Sequence, residues 1–488
     1  MEPVLSRDPR TGEVRVQVGV EADTAAVDAA VRAAHATLDA LADRDKRSAL
    51  LRAAADGVEA RAQELIAEAD AETALGVPRL TGELARVAYQ FRFFADIVDD
   101  GEFLGVVVDE PDPSAVPPRP ALRRWKVPIG TVAVFAASNF PFAFSVPGGD
   151  TASALAAGCP VVVKAHPDHP RTSELAAATI RDAAEKAGLP ADVLVLVHGY
   201  QAGVDLVRHP LISAAGFTGS IPGGRALFDL AAARPTPIPF YGELGSLNPV
   251  LVTEQAAEAR PGEIAAGLVA SYTLGQGQFC TKPGLVLVPA GPAGDTLTQA
   301  VAQSAAAAAP GALLDARMRE NFLAGFAARA AAPGVRTLAA AAAAPSGDAP
   351  QAVRAGLLEV DAANLAGDLV EECFGPVTVL VRYRDAADAE AVLSRLGGNL
   401  TATLHAEPGE PGAAAWLARL SRFAGRVIFG GWPTGVAVAP AMTHGGPYPA
   451  TTSPTTSVGG TAIDRWLRPV TYQTVPPELL PRELSQHA

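Results

Sequence analysis

From Thr131 onward the chain repeats a short apolar run followed by a stretch at helical spacing. No other feature limits the open folds as much. The runs are Thr131-Val132-Ala133-Val134-Phe135, Val161-Val162-Val163-Lys164, Val193-Leu194-Val195-Leu196-Val197 and Ile212 to Phe217. Helices are expected over 147–158, 172–187, 201–208 and from Pro222, with a further strand near 237–242. Runs this apolar, with no polar residue at every second position, need cover on both faces. Such strands alternating with helices make a parallel sheet, whose ligands sit at the carboxyl ends of the strands. A second alternating block covers about 249–440, with strands at Leu285-Val286-Leu287-Val288 and Val377-Thr378-Val379-Leu380-Val381 and helices near 294–308 and 315–331.

The flanks read differently. Val14-Arg15-Val16-Gln17-Val18 alternates like a short strand. Asp23 or Thr24 can cap a helix carrying Val27, Val31, Ala34, Leu38 and Leu41, and further helices are expected over 44–75 and 80–98. Two strands, Leu104 to Val108 and Leu122 to Val127, surround a proline-rich excursion at 111–120. Leu338–Pro350 is low-complexity alanine ending in prolines and reads as a surface excursion without function. The tail, 461–488, has one strand-like stretch, Arg468-Pro469-Val470-Thr471-Tyr472.

Several function classes fall away on composition. At 488 residues the chain suits roughly two to four domains. A formal charge of −13 with no basic run argues against nucleic-acid binding. Three scattered cysteines make neither a disulfide framework nor a zinc site, and no metal is expected. No signal peptide and no apolar stretch of about 18 residues is visible, so no membrane span is expected and the cytoplasm is the default.

Six places carry possible chemistry. Cys280 lies in Gly275-Gln276-Gly277-Gln278-Phe279-Cys280-Thr281. A lone cysteine usually packs as a small hydrophobe, but small and amide neighbours suit a reactive thiol better. Asn139 follows the end of an apolar strand, where an amide either donates to an oxyanion or supports its own turn. Glu243 stands between two apolar segments; burial there would raise its pKa toward general-base range. Phe217-Thr218-Gly219-Ser220-Ile221-Pro222 joins a strand to a helix with Ser220 as N-cap, which is either a phosphate site or a plain joint. Lys164 ends a strand, placed to reach sugar hydroxyls or phosphate, or to snorkel. Glu371-Glu372-Cys373-Phe374-Gly375-Pro376 sets paired acids before a turn.

Taken together and in order, these stretches resemble the aldehyde dehydrogenase superfamily along nearly the whole chain. The residues that carry this are Ser138-Asn139-Phe140-Pro141, the strand ending in Lys164, Phe217-Thr218-Gly219-Ser220, Glu243-Leu244-Gly245, Gly277-Gln278-Phe279-Cys280 and Glu372-Cys373-Phe374-Gly375-Pro376. Ala143 to Pro160, His444-Gly445-Gly446-Pro447-Tyr448-Pro449 and Arg465-Trp466-Leu467-Arg468-Pro469 are most similar to α-ketoglutaric semialdehyde (2,5-dioxovalerate) dehydrogenases and NADP-dependent relatives.

The resemblance implies an α/β fold of two Rossmann-like domains with parallel-rich sheets plus a β oligomerisation arm. Its boundaries are 1–102, 129–243 and 441–460 for the cofactor domain and 244–440 for the catalytic domain. Residues 103–128 and 461–488 make the arm and tail, giving a homodimer or homotetramer. It implies that Cys280 attacks an aldehyde, that Asn139 and the Cys280 N–H hold the oxyanion, and that Glu243 activates water to hydrolyse the thioester. Lys164 and His166 would meet the adenosine ribose, Gly219 and Ser220 the pyrophosphate, and Glu372 and Phe374 the nicotinamide ribose. The cofactor is NADP or NAD. Pro167 stands where many NAD-preferring relatives carry a glutamate, so NADP is tolerated or preferred.

For the substrate, a semialdehyde carrying a carboxylate, Arg92 is a candidate cation, and Phe142 is a candidate lining residue. Phe142, Phe93 and Phe94 would equally suit the alternative, long-chain or aromatic aldehydes. A CoA-acylating enzyme is disfavoured by Glu243, and a catalytically silent binding protein by the full residue set. Lys282 stands where relatives often have asparagine.

Overall fold

A computed structural model of the chain describes residues 2–344 and 349–485. Among these residues the apolar runs build two parallel-rich sheets. The first is all parallel, in the order Leu194–Val197, Val161–Lys164, Thr131–Phe135, Ile212–Thr218, Phe240–Glu243. Thr131–Phe135 is buried at every position, which is why it lacks polar alternation. Strand order reverses between Thr131–Phe135 and Ile212–Thr218, and such a switch point leaves a crevice beyond the carboxyl ends.

The second sheet runs Arg336–Ala339, Gly356–Asp361, Val377–Tyr383, Leu285–Pro289, Val250–Val252, Asn399–His405, Ala424–Phe429, and only Arg336–Ala339 is antiparallel. That edge strand corrects the reading of 338–350 as pure excursion: Leu338 and Ala339 belong to a strand paired with Gly356–Asp361. Residues 345–348 of that stretch lie outside the described residues.

The two sheets offer opposite ends to the site. Lys164 and Glu243 are the last residues of their strands, and Gly219 and Ser220 follow Thr218. Cys280 and Glu372 instead precede the neighbouring strands Leu285–Pro289 and Val377–Tyr383, at their amino ends. The carboxyl-end rule holds for the first sheet only.

Helix starts follow their caps and ends are less regular. Asp23 caps Thr24–His35 by accepting from Ala26, but the helix stops before Leu38 and Leu41, which continue its apolar spacing in a turn and a 3-10 segment. The stretch 44–75 is two helices, Arg44–Ala60 and Ala62–Thr73, broken at Arg61. Val77–Asp100 is longer than expected and closes on Gly101 at φ 77°. Leu122–Pro128 pairs antiparallel with both Val107–Asp109 and Leu467–Gln473, so the tail returns to the 103–128 excursion. Just before that strand, buried Trp466 donates Nε1–H to Ser153 Oγ at 2.8 Å and anchors the return. Among the described residues no helix is long and apolar enough to cross a membrane.

Candidate active site

Asn139, Lys164, His166, Gly219, Ser220, Glu243, Cys280, Glu372 and Phe374 all line one cavity of about 630 Å³. This is within the usual range for a small-molecule or cofactor site, roughly 300–1,000 Å³. Lys164 and His166 stand at one end of this residue set in the fold, and the thiol and Glu243 at the other.

The thiol loop is held in an uncommon backbone shape. Gly275, Gln276 and Gly277 all take positive φ, at 54°, 57° and 67°. For Gln276 the left-handed region costs about 1–2 kcal/mol. A Cβ on Gly277 would collide with the Gly375 carbonyl, so glycine lets the thiol loop lie against the loop bearing Glu372. Asn248, itself at φ 51°, donates Nδ2–H to the carbonyls of Cys280 (2.8 Å) and Lys282 (3.0 Å). Its Oδ1 accepts from Thr401 and Ser246, so its amide plane is fixed. Buried Lys282 donates to the carbonyls of Cys373 (2.7 Å) and Val377 (3.1 Å) and bolts the two loops together. No motif points to Asn248 or Lys282, because both act on backbone carbonyls.

Sequence reasoning also passed over His444 as a site residue. Its Nε2 lies 3.5 Å from Cys280 Sγ and 2.7 Å from Glu243 Oε1, and the three ligand-type atoms lie within 4.8 Å of one another. The contact to Oε1 is off the ring N–H direction, so it is a close polar contact rather than a directed hydrogen bond. Ser457 donates its hydroxyl to Glu243 Oε2 at 2.6 Å. The only sequence signal for His444 is its place before two glycines.

These neighbours correct one expectation. Burial pushes the Glu243 carboxyl up, but the His444 imidazole beside Oε1 and hydrogen bonds from Ser457 and Cys280 outweigh it and hold the group below its ordinary range. Glu243 is therefore ionised at neutral pH. Burial, and then the Glu243 charge, push the Cys280 thiol well above the usual cysteine range. A protonated thiol thus rests beside a carboxylate that can take its proton.

Asn139 is buried and donates Nδ2–H to the Gln278 carbonyl at 2.9 Å, which orients its amide beside the thiol loop. Arg79 donates to the Asn139 carbonyl at 2.5 Å from between the Phe140 and Phe279 rings. Two substrate candidates fall elsewhere. Arg92 is tied to Asp56 and Glu59 at 2.6 Å each and joins two helices. Phe142 is fully buried in the core, where its N–H donates to Glu83; Phe140 and Phe144, each two residues away, line the cavity instead. Phe94 is buried in the same core and Phe93 packs against it.

The cavity fits a dinucleotide. A Cβ on Gly245 would collide with Glu372 Oε2, and one on Gly224 with Leu244, so glycines keep this wall open. Ser220 caps helix Ile221–Ala232 by accepting from Gly223 at 3.3 Å, and Gly224 donates to the Ser220 carbonyl. An anion there meets the Ser220 hydroxyl proton and the positive helix start. At the other end Lys164 and Arg317 line the cavity, while Asp168 sits behind His166 with 3.4 Å between Nδ1 and Oδ2. Burial, with the Asp315 charge, pushes Asp168 up to about 7.

A thiol, a carboxylate and an amide meeting at one end of a cleft at a sheet's switch point make up an α/β enzyme site for covalent chemistry beside a nucleotide. Residues 2–446 match the Aldehyde dehydrogenase family. The chain is 48% identical over 450 residues to alpha-ketoglutaric semialdehyde dehydrogenase 2 of Azospirillum brasilense, covering 90% of this chain and 85% of that protein. It is 44% identical over 432 residues to alpha-ketoglutaric semialdehyde dehydrogenase of Acinetobacter baylyi, covering 87% and 80%. In fold it is similar to a mutant of aldehyde dehydrogenase C from Pseudomonas syringae in complex with NAD+ and octanal. That likeness has a TM-score of 0.82 at 22% identity, over 98% of this chain and 94% of that one. The chain belongs to the aldehyde dehydrogenase family. It is an oxidoreductase acting on aldehydes, in a family that uses NAD(P).

Proposed function

We propose that the chain oxidises 2,5-dioxopentanoate, or a similar acid semialdehyde, to the dicarboxylate through a thioester on Cys280. The observation that carries the chemistry is the convergence of Cys280 Sγ, Glu243 and His444 within 4.8 Å. The substrate class rests on the 44–48% identity to two α-ketoglutaric semialdehyde dehydrogenases. Glu243 takes the thiol proton, and His444 spans thiol and carboxylate while the charge moves. The Cys280 sulfur then bonds the aldehyde carbon, and the second Asn139 N–H with the Cys280 N–H holds the new oxyanion. Such a donor is worth about 3–4 kcal/mol of barrier. Bound NAD(P) supplies the hydride acceptor. Glu243 then gives the thiol proton up to solvent and draws a second one from water, whose oxygen attacks the thioester carbon and releases the acid and a thiolate that takes this second proton back. The test is a panel of acidic, aliphatic and aromatic aldehydes with NAD and NADP, followed by reduced-cofactor absorbance. Highest kcat/KM for the acid semialdehyde is the expected result, and a clear preference for long-chain or aromatic aldehydes contradicts it.

Cofactor choice follows from the Lys164 end. Its charged lining is Lys164 and Arg317, exposed Pro167 brings no carboxylate, and Asp168 is set behind His166. The expected result is a kcat/KM with NADP at least equal to that with NAD. A tenfold preference for NAD, about 1.4 kcal/mol, overturns it.

Glu372 adds a pH dependence. Burial pushes its carboxyl up to about 7, against the opposing Lys282 charge, the Ser246 N–H and Arg329. The raised pKa means that it gains a proton as pH falls through about 7, losing a lone pair for the nicotinamide ribose. Cofactor Kd, read by fluorescence titration, is expected to rise below pH 7, and Glu372→Gln to flatten that rise. An equal pH dependence in the variant contradicts this role.

For the assembly, we read 1–102, 129–243 and 441–460 as the cofactor unit, 244–440 as the catalytic unit, and 103–128 with 461–488 as an arm. The antiparallel sheet joining Leu467–Gln473 to Leu122–Pro128 supports the arm, with a homodimer as the minimum and a homotetramer compatible.

A further inference from the structure

Three guanidinium groups lie near the thiol loop, and none of them lines the nucleotide cleft. Arg79 and Arg86 come from helix Val77–Asp100 and Arg426 from strand Ala424–Phe429. Arg86 lies 5.4 Å from the Phe144 ring centre, Phe144 is 5.8 Å from the His444 ring, and His444 is 3.5 Å from Cys280 Sγ. Phe140 packs edge-on against both Phe144 and Phe279, at 5.3 and 5.1 Å, so an apolar wall links the nucleophile to the arginines.

Arg86 Nη1 donates to the Val436 carbonyl at 2.7 Å, and Arg426 donates to the carbonyls of Pro433 and Gly435. Two arginines from separate elements thus converge on residues 433–436. Their remaining donors are idle: Nε and Nη2 of Arg86 and Nε of Arg426 are shielded from water and have no acceptor. The carboxylate whose charge reaches Arg79 and Arg86, Glu83, accepts the N–H groups of Phe142 and Ala143 on Oε1 at 2.8 Å each, and its Oε2, like the arginine donors, has no hydrogen-bond partner. Shielded charge-bearing donors without acceptors are costly and uncommon. Nε and Nη2 form the side edge of a guanidinium, which matches both oxygens of a carboxylate.

We propose that Arg86 and Arg426 form an anion subsite for the distal carboxylate of an acid semialdehyde whose aldehyde carbon lies at Cys280 Sγ. The subsite sets the preference for acidic over neutral aldehydes; it deepens the functional reading above and rests on it. The carboxylate takes the idle edge of Arg86, and the 433–436 segment yields enough to admit it.

The test compares kcat/KM for 2,5-dioxopentanoate and for pentanal in the wild type, Arg86→Met and Arg86→Lys. A second readout is protection of Cys280 from iodoacetamide by the product dicarboxylate, 2-oxopentanedioate. In Arg86→Met the acid-to-neutral ratio should fall about tenfold or more, chiefly through KM, with loss of protection. Arg86→Lys should recover part of both. A parallel decline for both aldehydes with protection retained would mean that Arg86 only pins the segment, and an unchanged ratio overturns the subsite alone. A wild type that prefers pentanal overturns the substrate reading itself.

Discussion

Cys280→Ala is expected to lower kcat for aldehyde oxidation by on the order of 10⁴-fold or more, measured as reduced cofactor formed per subunit. The size follows from the absence of a substitute. Cys159 lies in the core, and Cys373, which borders the cavity, is buried with a thiol that burial pushes above its ordinary range. Without the sulfur, Asn139 and the backbone N–H have no tetrahedral carbon to stabilise, so their contribution goes as well. Residual activity above a hundredth of wild type would remove Cys280 as nucleophile. The rise of the thiol pKa also has a sign: the free enzyme holds the protonated form, and activation requires Glu243 to accept the proton.

Glu243→Gln is expected to cut steady-state turnover about 10³-fold, within the range for a lost general base. An amide keeps the hydrogen bond from Ser457 but can take a proton neither from the thiol nor from water. Because the native carboxyl is held below its usual range, its loss of function on acidification falls below the ordinary glutamate range. Between pH 5 and 9 the wild-type deacylation rate should show no titration from this group. An acid limb near pH 6–7 that disappears in Glu243→Gln would contradict the assignment. It would instead support the raised pKa expected from burial alone.

That reversal shows where sequence reading stops. The apolar runs specified the first sheet, because a strand covered on both faces has few other solutions. The motif residues converged because strand ends place them there. Charge partners were not visible, since His444 lies 164 positions from Cys280 in the chain and Ser457 lies 214 from Glu243. Helix face was equally hidden. Arg86 and Arg92 are six residues apart on one helix, hence about 240° around it, and nothing in the local pattern says which side meets the thiol. Phe142 misled for a similar reason: in the turn after Thr131–Phe135 the chain sends Phe140 and Phe144 to the cavity and Phe142 to the core. Edge strand Arg336–Ala339 was lost in an alanine-rich stretch where neither period stands out.

The central claim is a thioester on Cys280 that Glu243 hydrolyses. Its most direct test incubates Glu243→Gln with 2,5-dioxopentanoate and NADP at about pH 9, where solvent base replaces Glu243 in ionising a thiol now free of the Glu243 charge, then quenches in acid and maps the adduct by peptide mass. About one acyl group per subunit, the substrate minus one hydrogen, is expected on the peptide containing Cys280, formed with an equal amount of reduced cofactor. Reduced cofactor without an adduct, or an adduct on the peptide of Cys159 or Cys373, would contradict it.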